Sequence, residues 1–415
     1  MKEKHGDVWN FKDEAIKYCN LDCKCLYEVL VKFSDLVFKE FKLNITKVLT
    51  LPSLAFRIYR SQFMPKDKLY QILGNVDADI RESFTGGAVD VYKTTNNIFD
   101  DLWGVYHRVK LYYYDVNSLY PFVMKMFSMP TGKPIAFDGN IRRVDPEAYG
   151  FFYCKIQSPE YIQDPILQRR IKTKDGVRTV AALGAWEGWI YSVEMDNAVK
   201  YGYRFEILKG YKFIPDLVFT DYVNKMYSLR MEFPKEHPMN LIAKLLMNSL
   251  FGKFGMKTEH SLIQIYNIND DLDRNSINEI LDLYGKSVSD VIDMEDYVIV
   301  VRENISGYSY NEVNDFFYGL DVNVGVASAI TAGGRVWMSA FKNNPDFNIF
   351  YSDTDSAVID QPMKHNLVGP HLGQFKLEHE LGRAVFLAPK VYAFITMDND
   401  EVIKVKGVTK EALKT

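Results

Sequence analysis

Asn348-Ile349-Phe350-Tyr351-Ser352-Asp353-Thr354-Asp355-Ser356-Ala357-Val358-Ile359 is the stretch whose reading decides the fold. An apolar run enters, two carboxylates stand one residue apart at its crest, and a second apolar run leaves. That pattern predicts two short strands around a tight turn. In an extended backbone residues i and i+2 share a face, so Asp353 and Asp355 are expected to project together. Two carboxylates held that close repel each other unless a cation lies between them, and oxygen-only ligands suit Mg²⁺ or Mn²⁺. A plain polar hairpin tip has the same letters, so the reading turns on what the rest of the chain supplies.

The nearest support lies well upstream. Val109 to Val116 is a compact apolar strand that ends at Asp115 and runs into Asn117-Ser118-Leu119-Tyr120-Pro121, where the chain turns into a helix. A carboxylate at a strand end beside a helix start is a common functional position; a simple N-cap is the plainer use of it. Further on, a helix over Leu217 to Glu232 carries Arg230 near its end, and Pro234 and Pro238 break it. A second, over Met239 to Phe251, puts Lys244, Asn248 and Phe251 on one face. A cation, an amide and an aromatic ring in line form a surface able to meet a phosphate, a sugar edge and a base. Beyond the hairpin, Gly373 to Glu378 and Lys390 to Ile395 read as strands, with Lys390 and Tyr392 on one face.

Composition sets the bounds. At 415 residues and 47% hydrophobic, the chain can bury a sizeable core in two or three domains. A net charge of −4 means that any phosphate-binding surface is local rather than global. Cys19, Cys23, Cys25 and Cys154 have no Cys or His partners at zinc-finger spacing, which favours reduced thiols. No run approaches the roughly 20 apolar residues of a membrane span, and the charged stretch Met1 to Asp13 does not resemble a secretory or transit signal.

A helix is predicted over residues 14 to 42, with Asp22 close to its apolar stripe, and another from Pro52 to about Gln62. Ser83-Phe84-Thr85-Gly86-Gly87-Ala88 contains two adjacent glycines that permit close backbone approach to a partner, or an ordinary turn. Residues 130 to 215 read as strands and loops with one helix, Val193 to Lys200. Between Asp270 and Asp296 there are 9 Asp or Glu against Arg274 and Lys286, so a solvated insertion is expected there rather than a surface along phosphates. Asn323 to Phe341 returns to helical character and includes Thr331-Ala332-Gly333-Gly334-Arg335, small residues beside an Arg that let a backbone phosphate approach.

Together these stretches resemble the family B DNA polymerases, and most closely their protein-primed branch of bacteriophages and linear organellar plasmids. Asp115-Val116-Asn117-Ser118-Leu119-Tyr120-Pro121 matches the first polymerase motif, Lys244 to Gly252 the second, Tyr351 to Ser356 the third and Lys390-Val391-Tyr392 the fourth. Thr331 to Arg335 is similar to the template-contacting Thr-x-x-Gly-Arg element. Phe84 to Gly87 is similar to the aromatic-x-Gly-Gly linker between exonuclease and polymerase halves. The elements keep the family's order from Phe84 to Tyr392.

The resemblance implies an α+β fold: a right-hand palm, an antiparallel sheet backed by helices, with helical fingers, preceded by a remnant of an RNase H-like exonuclease domain. It implies the exonuclease remnant over 1–45, linker and first palm segment over 46–130, and an insertion like the first terminal-protein region over 131–215. Fingers over 216–257 come next, then an acidic insertion like the second terminal-protein region over 258–320. Palm with the carboxylate hairpin over 321–400 and the start of a thumb over 401–415 complete it.

For the chemistry, it implies two-metal phosphoryl transfer to a primer 3′-hydroxyl with two Mg²⁺ or Mn²⁺ ions. Asp115 and Asp355 would be the shared ligands, joined by the Val116 carbonyl, with Asp353 in a supporting role nearer the primer end. Arg230 and Lys244 would hold the triphosphate, and Tyr120 would lie under the sugar and exclude a ribose 2′-hydroxyl. Ser118, Leu119, Asn248 and Phe251 would complete the nucleotide site. Gly86, Gly87, Ser249, Gly252, Thr331, Arg335, Lys390 and Tyr392 would contact DNA.

Tyr18 and Asp22 fit the Tyr-x-x-x-Asp pattern of the third exonuclease motif, while the 17 residues before Tyr18 supply neither of the first two. Proofreading by this chain alone is therefore not expected. The implied partners are primer-template DNA, dNTP and a terminal priming protein, with no membrane, in an intracellular setting of mitochondrial-plasmid or viral origin. Phe251 and Phe84 stand where the family usually has Tyr. With few residues after Gly407, the chain reads as cut at both ends. The alternative function is a shortened polymerase that binds DNA, nucleotide or priming protein without efficient turnover.

Overall fold

The structure, a computed structural model, describes residues 10–48, 50–100, 105–174, 176–256, 262–281, 288–302, 323–409 and 412. In chain order its helices are α1 (Phe11–Phe41), α2 (Leu51–Gln62), α3 (Gly74–Ser83), α4 (Leu119–Met126), α5 (Ser192–Lys200), α6 (Thr220–Glu232), α7 (Pro238–Phe254), α8 (Asp271–Leu281) and α9 (Val324–Lys342). The first strands are β1 (Val89–Val91), β2 (Asn97–Asp100), β3 (Val105–Arg108), β4 (Leu111–Val116), β5 (Met129–Asp138), β6 (Tyr149–Gln157), β7 (Gln168–Thr173), β8 (Gly176–Ala181) and β9 (Ala185–Tyr191). Then come β10 (Arg204–Asp216), β11 (Leu262–Asn267), β12 (Val288–Met294), β13 (Tyr297–Arg302), β14 (Ile349–Asp353), β15 (Ser356–Ile359), β16 (Phe375–Ala388), β17 (Val391–Thr396) and β18 (Glu401–Val405). The chain divides into two compact units: one of the described residues within 1–66, 118–128 and 217–253, the other of those within 67–117, 129–216 and 254–415.

The first unit is helical. Asn10 caps α1 by accepting from the Lys12 amide at 3.0 Å, and Lys42 closes it in the left-handed region. Only Val37 and Phe41 of α1 are buried. The apolar stripe expected to face a core is exposed instead, with Tyr18, Leu26 and Val29 at 68%, 58% and 62% exposure. Asp22 stands on the same solvent-facing helix and is not a buried-side carboxylate. Among helices that are packed, α2 begins at Thr50, whose hydroxyl accepts from the Ser53 amide, and buries Leu54, Ile58 and Tyr59. The Tyr59 hydroxyl donates to the Val218 carbonyl, and its ring lies 4.8 Å from that of Phe219. The Tyr222 hydroxyl of α6 donates to the Leu246 carbonyl of α7 at 2.9 Å and ties those two helices together.

The second unit is built on an antiparallel sheet in the order β1-β14-β15-β4-β16-β17-β18. Leu111, Phe350, Tyr351, Val358, Leu381 and Phe386 form its core. All four residues of β15 are buried, as are the first four of β14. Covering on both faces is why these strands read as continuous apolar runs rather than as alternation. Residues 129–216 contribute a sheet in the order β5-β10-β6-β9, whose core includes Phe152, Cys154, Ile190, Met195 and Tyr203, and the ribbon β7-β8.

The stretch expected as a solvated insertion holds its own three-stranded sheet, β11-β13-β12, with a small core of Ile277, Val288, Val298 and Val300. Its first two segments therefore fold, while residues 303–322 lie outside the described ones. Helix α9 is buried along most of its length. Gly325, Ala327, Ser328, Ala329, Ala332 and Gly333 leave its surface small enough for α3, α5 and β5 to pack on it.

Candidate active site

The hairpin forms as expected, but its tip is not extended. Asp353 pairs with Ser356, so Thr354 and Asp355 make the whole connection. Thr354 has φ of +58°, and the Asp355 amide donates to the Asp353 carbonyl at 2.6 Å, a γ-turn of the positive-φ kind. The two acids thus stay close through a sharp bend, not through i, i+2 alternation along a strand.

Positive φ at a β-branched residue is strained and persists only where neighbours over-determine it. Two neighbours do so. The Thr354 amide donates to the Ala88 carbonyl at 2.9 Å. Gly87 lies so close that a methyl group on it would stand 2.5 Å from Thr354 Cγ2.

Sheet pairing brings Asp115 to this tip. Strand β4 runs antiparallel to β15 with Asp115 opposite Ser356, and the Val116 amide donates to the Asp355 carbonyl at 2.8 Å. The third carboxylate therefore reaches the same end of the sheet from more than two hundred residues away in sequence. Burial holds the Asp355 carboxyl above the usual carboxylate range, and the charge of Asp353 adds to the effect; its own amide and Lys390 oppose it.

Asp353 is engaged differently. Lys390, itself in the left-handed region at φ +64°, sets its ammonium 2.7 Å from both Asp353 oxygens. Its amide donates to the Tyr351 hydroxyl at 3.0 Å, and the Tyr392 ring lies 5.2 Å from that of Tyr351. Lys390 thus reaches Asp353 from the turn before β17 and not from the strand, while the Tyr392 ring meets Tyr351 two residues earlier on β14.

The donor chemistry fits a hard divalent cation: two carboxylates, Asp115 and Asp355, with the Val116 peptide between their strands. Among the described residues no group of three or more His, Cys, Asp or Glu side chains is arranged to hold a metal ion, so the protein side of the site is the Asp115 and Asp355 pair. Mg²⁺ is typically held by one or two carboxylates with the remaining positions taken by substrate phosphates and water.

Two residues expected to contact DNA are enclosed within the fold. Thr331 is buried and its hydroxyl donates to the Ala327 and Ser328 carbonyls of its own helix. Arg335 is buried against Glu194, which accepts from Nε at 2.6 Å and from Nη2 at 2.8 Å. Its Nη1 donates to the Thr85 and Gly86 carbonyls, at 2.8 Å each. Its cation is neutralised and enclosed, so it holds the Gly-Gly loop instead of offering a surface to phosphate. Gly86 is exposed, while Gly87 is packed on Thr354.

In the helical unit, Ser118 opens α4 at φ +51°, and Leu119 and Pro121 are buried beneath it. Tyr120 is half-buried, its ring 4.4 Å from that of Phe251 at 47°. Lys244 is exposed one turn before the partly buried Asn248 on α7. The Asn240 side chain donates to the carbonyls of Arg230 and Phe233, tying the end of α6 to the start of α7. Ser249 donates to the Leu246 carbonyl at 3.4 Å, and Gly252 has open space where a side chain would be. Tyr18 and Asp22 are exposed on α1.

Sequence reading missed Glu194, Asn240 and the strain at Thr354. Glu194 acts through a partner distant in the chain, Asn240 through two carbonyls at the end of the preceding helix, and Thr354 through a backbone angle; none has a spacing signature.

The second unit is thus a curled antiparallel sheet with carboxylates at one strand end, the plan of a polymerase palm. The family described as DNA polymerase type B, organellar and viral, matches residues 1–344. The chain belongs to that family. It is 33% identical to a probable DNA polymerase of Neurospora intermedia over 417 residues, covering 97% of this chain and 40% of that protein. It is 32% identical to a probable DNA polymerase of Ascobolus immersus, covering 96% and 31%. The fold is similar to that of phi29 DNA polymerase solved with primer-template DNA, with a TM-score of 0.63 and 21% identity over 92% of this chain and 64% of that one. The chain therefore spans less than half the length of the two fungal relatives.

Proposed function

We propose that this chain carries the nucleotidyl-transfer centre of a DNA-directed DNA polymerase. The observation that carries the proposal is the pairing of β4 with β15, which sets Asp115 beside the Asp353-Thr354-Asp355 turn. Family membership supplies the reaction class.

In this reading Asp115 and Asp355, with the Val116 carbonyl, hold the divalent cations. When bound, Mg²⁺ or Mn²⁺ lowers the pKa of the primer 3′-hydroxyl and neutralises the triphosphate. Asp353, paired with Lys390, stands beside them without being a primary ligand. Lys390 and Tyr392 face the primer end. Arg230 and Lys244 take the triphosphate as charge-assisted donors. Tyr120, backed by Phe251, meets the sugar and excludes a 2′-hydroxyl, and Asn248 and Phe251 meet the new base pair. Primer-template DNA and dNTP are the substrates, and a priming protein is the partner that the resemblance to the protein-primed branch supports.

Extension of a labelled primer on a template by the purified chain, with Mg²⁺ or Mn²⁺, tests this. Incorporation that disappears in Asp355→Asn supports the assignment. Incorporation that survives that change moves the centre elsewhere, and a chain that binds primed DNA but never extends it makes it a binding module.

A further inference from the structure

Behind the carboxylate hairpin lies a buried ion pair whose reach ends at the strained tip. Arg335 of α9 and Glu194 of α5 are 3% and 10% exposed at their side chains and share two hydrogen bonds. The remaining face of the guanidinium grips the carbonyls of Thr85 and Gly86. The next residue, Gly87, is the one packed against Thr354, and the one after it, Ala88, accepts from the Thr354 amide. An unbroken line of contacts thus runs from the ion pair, through four residues of backbone, to the residue that separates Asp353 from Asp355.

The line is stiff at each step. A planar guanidinium bound on both edges has no rotamer freedom left. A carbonyl pair fixed by one nitrogen fixes the peptide planes between them. The contact at Gly87 leaves no room for even a methyl group. One turn pair further along α9, Lys342 is also buried and reaches Asp90 at 3.0 Å, so the segment is pinned on both sides of its contact with the tip.

We propose that the Arg335–Glu194 pair is a positioning device for the cation site: through the Thr85–Ala88 backbone it imposes the Thr354 conformation that sets the placement of the Asp353 and Asp355 carboxylates. This rests on the proposed function, since it names what orients the carboxylates assigned there. Groups that orient a metal's ligands from behind are worth about 10–100-fold in affinity when removed.

The test uses the full chain and two readouts other than turnover: amide hydrogen exchange at Thr354, and Mn²⁺ binding followed by electron paramagnetic resonance. Arg335→Lys and Glu194→Gln are expected to speed exchange at Thr354 and to weaken Mn²⁺ binding by about tenfold or more, with exchange across β10 unchanged. Gly87→Ala leaves the ion pair intact and is expected to have the same two effects. Adding Thr354→Gly to Gly87→Ala is expected to recover most of the loss, because glycine removes the clashing side chain and accepts a positive φ. Wild-type exchange and wild-type Mn²⁺ affinity in the Arg335 and Gly87 variants overturn the proposal, and so does a double variant that recovers nothing. Should the wild-type chain bind no Mn²⁺, the cation assignment fails, and exchange at Thr354 still decides whether the pair positions the tip.

Discussion

The Lys390 ammonium lies 2.7 Å from both oxygens of the Asp353 carboxylate, so the two acids of the hairpin are unequal. One is already neutralised by a protein cation, and the other, Asp355, is half-buried with its carboxyl held above the usual range. Lys390 is half-exposed, which screens the pair and limits its strength. Lys390→Met is therefore expected to tighten Mn²⁺ binding modestly, by about threefold, while weakening the hold on primed DNA. Titration of both ligands checks this, and a loss of Mn²⁺ affinity would show that Lys390 orients Asp353 rather than competing for it.

Cation binding to Asp115 and Asp355 stabilises only the folded chain, so saturating Mn²⁺ is expected to raise the melting temperature by about 3 °C or more. Asp355→Asn is expected to behave in the opposite way. Without divalent cations it is at least as stable as the wild type, because burial and the charge of Asp353 both oppose ionisation of the native side chain. Its melting temperature should no longer respond to Mn²⁺. Thermal unfolding with and without a chelator makes the comparison.

Tyr120 and Phe251 are in ring contact, centroids 4.4 Å apart, which fixes the tyrosine from one side. Tyr120→Val is expected to raise ribonucleotide incorporation relative to dNTP by about tenfold or more. Phe251→Ala, which removes the support but leaves the ring, should raise it less. Discrimination that is unchanged in Tyr120→Val takes away the gate role.

The four thiols differ sharply in environment. Cys19, Cys23 and Cys25 are exposed on α1, whereas Cys154 is a buried residue of β6 and its thiol is pushed up to about 12. Burial favours the neutral thiol, so whatever stability it contributes is complete below the ordinary thiol range and is lost as pH rises toward 12. A thiol reagent at pH 8 should label three cysteines in the folded chain and the fourth only on unfolding. Rapid labelling of all four would place Cys154 on the surface.

Much of what the proposal uses in each unit was legible in the chain itself. The apolar runs flanking Asp353-Thr354-Asp355, the strand ending at Asp115 and the face shared by Lys244, Asn248 and Phe251 are local patterns. Backbone periodicity alone is enough to predict them, and the structure has the strands and helices at those places. Local patterning was misleading where a partner was needed. The apolar stripe of α1, expected to face a core, is exposed. The Thr331 to Arg335 element reads as a phosphate contact because Arg beside small residues suits one, yet Glu194 takes the guanidinium.

Residue types and their order determined by themselves which family the chain resembles and which chemistry is proposed for it, because carboxylates, a lysine and aromatic rings at set spacings need no distant information to be recognised. Only the tertiary structure decided how those groups are held. The register of β4 on β15, the Lys390–Asp353 pair and the wedge of Gly87 against Thr354 join residues far apart in sequence. Long-range contacts and a strained φ are set by packing, which no local pattern records.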